Sequence, residues 1–161
     1  MNIINQAEDR FKPMQQVLCD MLFPMLREIT ALETEILPKY EDIMARWLTD
    51  NKPAPDEDKI LWGEYKERYF EIVRDHCTEK LLGKGYGDCI NSNPKYAFID
   101  DEECDLIFTM KAPRRAVIEI HYAPVNDCRR KFTLVKEGDR WLLNSFDWYS
   151  NYDCVWHRGN I

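Results

Sequence analysis

The chain has 161 residues, of which 45% are hydrophobic and 32% charged, and its formal net charge is -7. This length and composition predict one globular domain that can bury a core without disulfides or a structural metal. The negative charge argues against nucleic-acid binding, which needs Lys and Arg to neutralise phosphates, and is compatible with a basic protein partner. Charged side chains within residues 8–12 argue against a signal peptide, and no segment is apolar enough to cross a membrane, so we expect a cytoplasmic protein.

Apolar residues recur every three or four positions in the first half of the chain, which is the spacing of one helix face. One such stripe runs from Val17 to Leu48. Pro24 and Pro38 fall inside it. Because proline lacks a backbone donor and clashes with the preceding turn, we expect a kink or a break at Pro24 and a second interruption at Pro38.

A second helix is predicted after a polar connection over residues 50–55. Acidic side chains lie where a helix N-terminus favours negative charge, and the apolar stripe runs from Leu61 to Cys77. The glycine-rich segment over residues 83–87 is typical of a helix end. It lacks the strand before it and the helix after it that a phosphate-binding loop needs.

From Tyr96 onward the apolar period changes to two, which predicts antiparallel strands joined by short turns. The predicted strands are Tyr96–Ile99, Asp105–Met110, Ala116–Tyr122, Lys131–Lys136 and Arg140–Tyr149. Turns are expected over residues 112–114 and 123–127, and at Gly138, which supplies the positive φ of a tight hairpin. In the third predicted strand Ile118 and Ile120 form the core face, whereas both faces of the last strand carry large apolar groups, so either could point inward.

Together these elements predict a single α+β domain spanning residues 1–161. Residues 1–85 should be mainly helical and residues 95–150 mainly antiparallel strands. We expect the N-terminal helices to pack in the concave face of a curved sheet, because the apolar stripe of each helix and the core face of the sheet must bury each other.

The last predicted hairpin carries lysine, aromatic and leucine residues in a regular pattern around its glycine turn. The residues are Lys131, Phe132, Leu134, Lys136, Gly138, Trp141, Leu143, Trp148 and Tyr149. With helices before the strands, this pattern resembles the NTF2-like superfamily. In size and acidity the chain is most similar to the NTF2-fold immunity proteins of bacterial polymorphic toxin systems. The resemblance implies a sheet wrapped as a cone around helices, and a bacterial protein that binds a cognate basic toxin.

Other members of the superfamily keep two alternatives open. They include ketosteroid isomerases and dehydratases, so the resemblance also admits a small-molecule enzyme or carrier that uses the cone as a pocket. The outer sheet face of this fold often supports self-association, which admits a homodimer. Because the catalytic residues of those enzymes have no convincing counterpart here, a non-catalytic immunity protein without a cofactor is the leading hypothesis.

Four consecutive carboxylates, with a fifth nearby, form a strongly acidic run in the chain. It comprises Asp100, Asp101, Glu102 and Glu103, with Asp105 shortly after. Adjacent carboxylates repel one another and are tolerated where water screens them, so an exposed turn is one interpretation. The functional interpretation is a docking patch for a basic partner, such as the active-site cleft of a nuclease toxin.

The alternative enzyme hypothesis rests on Asp147. If the odd positions of the last strand face inward, Asp147 lies in an apolar pocket with a raised pKa and acts as a base, with His121 or Tyr122 as the assisting acid. Otherwise Asp147 is a solvated strand residue that pairs with His121. Cys154 and His157 have a spacing that could share a metal, but isolated pairs are usually accidental, and we predict no metal site.

Overall fold

A computed structural model describes residues 1–50, 56–90, 93–123 and 128–161. The helices are α1 (Met14–Asp50), α2 (Asp56–Val73) and α3 (Glu79–Leu82), with 3-10 helices at Asp9–Phe11 and Ala97–Asp100. The strands are β1 (Asn2–Asn5), β2 (Cys104–Ala112), β3 (Arg115–Tyr122), β4 (Cys128–Glu137), β5 (Arg140–Ser150) and β6 (Val155–Gly159). The predicted connection over 50–55 and the predicted turn over 123–127 fall almost entirely outside the described residues.

The α+β prediction is confirmed. Helices α1 and α2 pack against one face of a curved, unclosed sheet whose six strands lie in the order β1-β2-β3-β4-β5-β6. Strands β2 to β6 are antiparallel to their neighbours, as the short connections predict, whereas β1 pairs parallel with β2. Strand β1 was not predicted and lies within the stretch that was expected to be mainly helical.

Of the kink or break expected at Pro24, the break does not occur, and neither does the interruption expected at Pro38, because α1 continues for 37 residues through both prolines. The side chains of its apolar stripe are almost completely buried, among them Leu18, Leu26 and Ile29. Burying one such side chain stabilises the fold by about 1.5–3 kcal/mol, whereas a proline in a helix interior costs about 3 kcal/mol. The stripe therefore outweighs both prolines and keeps one helix.

The second helix ends earlier than predicted. Its buried stripe holds Tyr65 and Tyr69, and the helix stops at Val73, one turn before Cys77. Cys77 instead forms an isolated parallel bridge with Leu143 of β5. The adjoining backbone hydrogen bonds, at 2.8 and 2.9 Å, satisfy both backbone groups of Leu143. This segment covers the part of β5 that β6 does not reach.

The predicted strand Tyr96–Ile99 is also wrong, because this segment belongs to a 3-10 helix. The backbone N–H of Ile99 donates to the carbonyl of Tyr96 at 3.1 Å, which is the i to i+3 bond of a 3-10 turn. Residues three apart lie on one side of such a turn, so Tyr96 and Ile99 are both buried. All four residues over 96–99 are apolar, and a short apolar run is also typical of a buried strand, which explains the error.

A β-bulge determines which side chains of β5 face the helices. Thr133 of β4 pairs with Ser145, and the next residue of β4 pairs with Leu143, so Asn144 has no partner in β4. An extra residue in one strand shifts its side-chain alternation by one position. Leu143 and Phe146 therefore both face the helices, at 0% and 2% exposure. Neither the odd nor the even positions of β5 form one continuous core face.

Candidate functional site

The five carboxylates predicted to bind a partner lie where the second 3-10 helix leads into β2. We call this surface the acidic end, formed by Asp100, Asp101, Glu102, Glu103 and Asp105. Arg27 of α1 donates to both oxygens of Asp100, at 2.6 and 3.0 Å, and this hydrogen bonding lowers the pKa of Asp100. Asp101 accepts the Tyr122 hydroxyl at 3.1 Å and the backbone N–H of Glu103 at 2.9 Å. Asp100 and Asp101 are thus engaged in contacts within the chain.

The carboxylates that remain for a partner are those of Glu102 and Glu103, whose side chains are exposed. Asp105 is half-buried and accepts a hydrogen bond from β1 at 3.0 Å. Tyr122 stacks on Phe98 beside them, with ring centroids 5.8 Å apart, and its bond to the acidic end raises the pKa of its phenol. The acidic end therefore combines two exposed charges with a half-buried aromatic pair.

Asp147 and His121 lie on the outer face of the sheet, which is the face turned away from the helices. Asp147 is 8% exposed, and its Oδ1 atom is 2.6 Å from Nε of Arg158. His121 instead has its Nε2 atom 3.5 Å from the carboxylate of Glu119. Both predicted placements of Asp147 are therefore wrong: the bulge turns it away from the interior, and its ion partner is Arg158.

The structure does not bring the three alternative catalytic residues together. Asp147 belongs to β5, whereas His121 and Tyr122 belong to β3 and point to opposite faces of the sheet. The Tyr122 hydroxyl is bonded at the acidic end. These residues form no acid–base set around a shared space.

A row of alternating charges crosses the outer face. It consists of Glu119, Lys131, Asp147 and Arg158, which are register partners on β3 to β6. Nζ of Lys131 is 3.4 Å from the Glu119 carboxylate and 3.7 Å from the ring centroid of Trp156. The row borders an open groove of about 480 Å³. These charges are paired within the chain, and the homodimer predicted through this face stays a prediction.

A cavity of about 230 Å³ lies on the helix side of the sheet, and we call it the interior cavity. Four aromatic side chains line it, namely Tyr65, Tyr69, Phe146 and Trp148. The first three are almost completely buried, whereas Trp148 is 39% exposed. Three of its aromatic walls are therefore part of the core, and Trp148 is partly in contact with solvent.

Three charged side chains line this cavity, namely Glu33, Asp88 and Lys95. Glu33 of α1 is 3% exposed, and its two oxygens accept the backbone N–H of Lys95 and, at 3.3 Å, the hydroxyl of Tyr65. Lys95 is half-buried, and its Nζ atom donates to the backbone carbonyl of Asn160 at 2.7 Å. It also lies 4.8 Å from the ring centroid of Phe146.

Burial shifts the pKa of Glu33 and that of Lys95. It raises the pKa of Glu33, partly offset by the hydrogen bond from Lys95. It lowers the pKa of the Lys95 ammonium to about 8, with the negative charge of Glu33 opposing the shift. An acid and a base whose pKa values move toward neutrality, facing one cavity, form the arrangement that proton-transfer sites use.

Glu33 and Lys95 were not among the predicted site residues. The sequence carries a signal for the first, because Glu33 lies four residues after Ile29 and seven after Leu26, on the buried stripe of α1. A carboxylate on a core stripe must find partners or change its pKa. No comparable signal marks Lys95, which follows a proline in a loop.

Cys154 and His157, the pair whose spacing could suit a metal, each contact a neighbouring residue instead. The ring nitrogen Nε2 of His157 donates to the Asp153 carboxylate at 2.8 Å, and the ring stacks on Trp148, with ring centroids 4.7 Å apart. Cys154 is exposed and contacts the carbonyl of Asn151. Across the described ranges, no three His, Cys, Asp or Glu side chains form a group suited to a metal ion.

Comparisons with known proteins found no match to a family model, a curated protein or a solved structure. The resemblance to the NTF2-like superfamily therefore stays a prediction. None of the helices in the described part of the chain has the length and apolarity needed to cross a bilayer. The described part of the chain offers two candidate sites, the acidic end and the interior cavity.

Proposed function

We propose that this protein is a non-catalytic immunity protein, which binds a cognate basic toxin and occludes its active site. The observation that carries the proposal is the acidic end, where Glu102 and Glu103 are exposed beside the stacked pair of Tyr122 and Phe98. Carboxylates steer a basic partner during encounter, and aromatic side chains supply the apolar contact that holds it. The net charge of -7 adds long-range attraction.

Affinity capture of the tagged chain from the cells that make it, followed by mass spectrometry, tests this proposal. We expect one stoichiometric basic protein whose toxic activity disappears when the chain is added. Capture of no basic protein under gentle conditions would contradict the proposal.

The captured protein then makes it possible to test whether the acidic end is the surface that binds it. The double variant Glu102→Gln/Glu103→Gln should slow association several-fold at low salt, because rim charges act mainly on the association rate. The control Glu41→Gln/Glu67→Gln changes two exposed carboxylates on the helices by the same total charge. Equal association rates for both variants would remove the acidic end from the proposal.

A second candidate function is a small-molecule enzyme or carrier, and the interior cavity favours it. Glu33 and Lys95 replace Asp147, His121 and Tyr122 as the residues on which this function depends. A retained small molecule, detected by mass spectrometry of the protein unfolded after native purification, would support this function. Glu33→Gln should then abolish turnover of that molecule while leaving its binding measurable.

A further inference from the structure

We propose that Lys95 is a nucleophilic lysine that captures a small, neutral aromatic aldehyde in the interior cavity as an imine. The proposal rests on the second candidate function, because it assigns a ligand class to the same cavity. Three features carry it, namely the surroundings of the Lys95 Nζ atom, the charges that line the cavity and its aromatic walls.

The Nζ atom of Lys95 lies against aromatic side chains at the wall of the cavity. The ring centroids of Phe146 and Tyr96 are 4.8 and 5.5 Å from it. Nζ donates to the carbonyl of Asn160 at 2.7 Å, and no described carboxylate forms an ion pair with it. Lys66, in contrast, is exposed and forms an ion pair at 3.2 Å. A lysine that is partly removed from water without an ion pair is the kind that serves as a nucleophile.

These surroundings favour the neutral form of the Lys95 amine, which is the form that has a lone pair to donate. Desolvation lowers the pKa of Lys95 to about 8. Negative charge at Glu33, Cys89 and Asp88 opposes the shift, and the positive charge of Arg130 adds to it. At pH 7 an amine with this pKa is about 9% neutral, whereas an ordinary lysine is about 0.03% neutral.

The reaction available to such an amine is imine formation with a carbonyl compound. The Nζ lone pair attacks the carbonyl carbon, and a carbon–nitrogen double bond replaces the carbon–oxygen double bond. Both protons of the neutral amine leave with the oxygen as water, so the step needs neither an oxidant nor a reductant. An aldehyde is favoured over a ketone, because its carbonyl carbon carries only one bulky substituent in a small cavity.

The cavity favours a single neutral ring. Its volume is about 230 Å³. A dry protein cavity of about 150 Å³ holds benzene, and drug-sized ligands need roughly 300 Å³ or more. The aromatic walls, among them Tyr69 and Phe146, offer faces and edges against which a flat ring packs. Because Glu33, Asp88 and Lys95 all line the cavity, an anion meets two carboxylates and a cation meets the ammonium, whereas a neutral aldehyde meets no like charge.

Labelling of the full chain with benzaldehyde and cyanoborohydride at pH 7 tests the inference, because the reductant converts an imine to a stable amine that peptide mass spectrometry locates. We expect Lys95 to be labelled at least about tenfold faster than Lys66, which is the matched control. Pyrene-1-carboxaldehyde, whose fused rings exceed the cavity, should label the two lysines at similar rates. Lys95→Arg should remove the fast site and leave the labelling of Lys66 unchanged. Trace acetylation with acetic anhydride between pH 6 and 10 measures the amine itself, and the reactivity of Lys95 should level off above about pH 9.

The outcomes separate this inference from the function on which it rests. Equal labelling of Lys95 and Lys66 by benzaldehyde would overturn the inference, and so would an acetylation midpoint for Lys95 at pH 10 or above. A retained molecule without a carbonyl group in the natively purified protein would overturn the aldehyde assignment and keep the second candidate function. Fast and selective labelling of Lys95 supports the inference, and if the purified protein retains no molecule, that result counts against the second candidate function alone. Circular dichroism establishes that Lys95→Arg is folded.

Discussion

Replacement of Tyr96 by phenylalanine should stabilise the protein. Tyr96 is 0% exposed, and its ring packs against Phe132 and Phe146 with centroids 6.0 and 5.9 Å away. Its hydroxyl oxygen is buried and has no hydrogen-bond partner among the described residues. The hydroxyl therefore loses its water on folding and gains nothing in exchange.

The expected gain follows from the desolvation of one hydroxyl. Burying such a group without a hydrogen bond costs about 1–3 kcal/mol in proteins. Tyr96→Phe removes the oxygen and keeps the ring, so the packing against Phe132 and Phe146 is retained. We expect the free energy of unfolding to rise by about 1–3 kcal/mol, with Tm rising by about 2–4 °C for each kcal/mol.

Urea unfolding followed by circular dichroism measures this change, and Tyr65→Phe is the matched control. The Tyr65 hydroxyl is bonded to Glu33 at 3.3 Å and to the Cys89 carbonyl at 3.4 Å, so its removal should destabilise the protein by about 1–2 kcal/mol. The two variants have the same chemical change and opposite expected signs. Destabilisation by Tyr96→Phe would refute the reasoning, because it would show that this hydroxyl is hydrogen-bonded.

Three further substitutions test other parts of the fold. Gly138→Ala should destabilise by about 1–2 kcal/mol in urea unfolding, because Gly138 has φ 58° while an added Cβ meets no atom within 4 Å, leaving only the backbone cost. Arg27→Ala should raise the pKa of Asp100 in an NMR titration and lower stability by less than about 1 kcal/mol above pH 4, with the difference shrinking as the pH falls further and Asp100 becomes protonated. The pKa of Lys95 is lowered from 10.5 to about 8 in the folded protein, so the unfolded chain keeps this proton up to a higher pH. The free energy of unfolding should therefore rise relative to that of Lys95→Met between pH 8 and 9.5. Equal pH profiles for the two proteins would contradict the burial of Lys95.

The antiparallel part of the sheet was predictable because its strands carry a strong period of two. Ile118 and Ile120 are buried as predicted, and Gly138 has the positive φ expected of the turn. Strand β1 has only four residues, two of them asparagine, so no period can be read from it. The faces of β5 could not be assigned, because a bulge at Asn144 depends on pairing with β4 and leaves no mark in the sequence of β5 alone.

The candidate site was less predictable than the fold. The acidic end is a run in the sequence and is visible as such, although its pairing with Arg27 is a tertiary contact 73 residues away. The interior cavity joins α1 to the loop before the second 3-10 helix, and no local pattern connects Glu33 with Lys95. Asp147 is an acidic residue on an apolar strand, which made it a candidate, but its environment depends on Arg158 in β6, a strand that was not predicted.

The parallel pairing of β1 has a consequence for the order of folding. Strands β2 to β5 join through short connections, whereas the side chains of Asn2 and Asp105, which lie opposite each other in the β1–β2 pair, are 103 residues apart. Closing a flexible loop of that length costs roughly 4 kcal/mol of chain entropy. The pairing of β1 offsets little of this cost, because the strand has four residues and its Ile3 and Ile4 side chains remain 51% and 37% exposed. The contact becomes favourable only after α1 has docked and shortened the intervening chain. β1 should therefore join the sheet last, and its amide protons should exchange with solvent first.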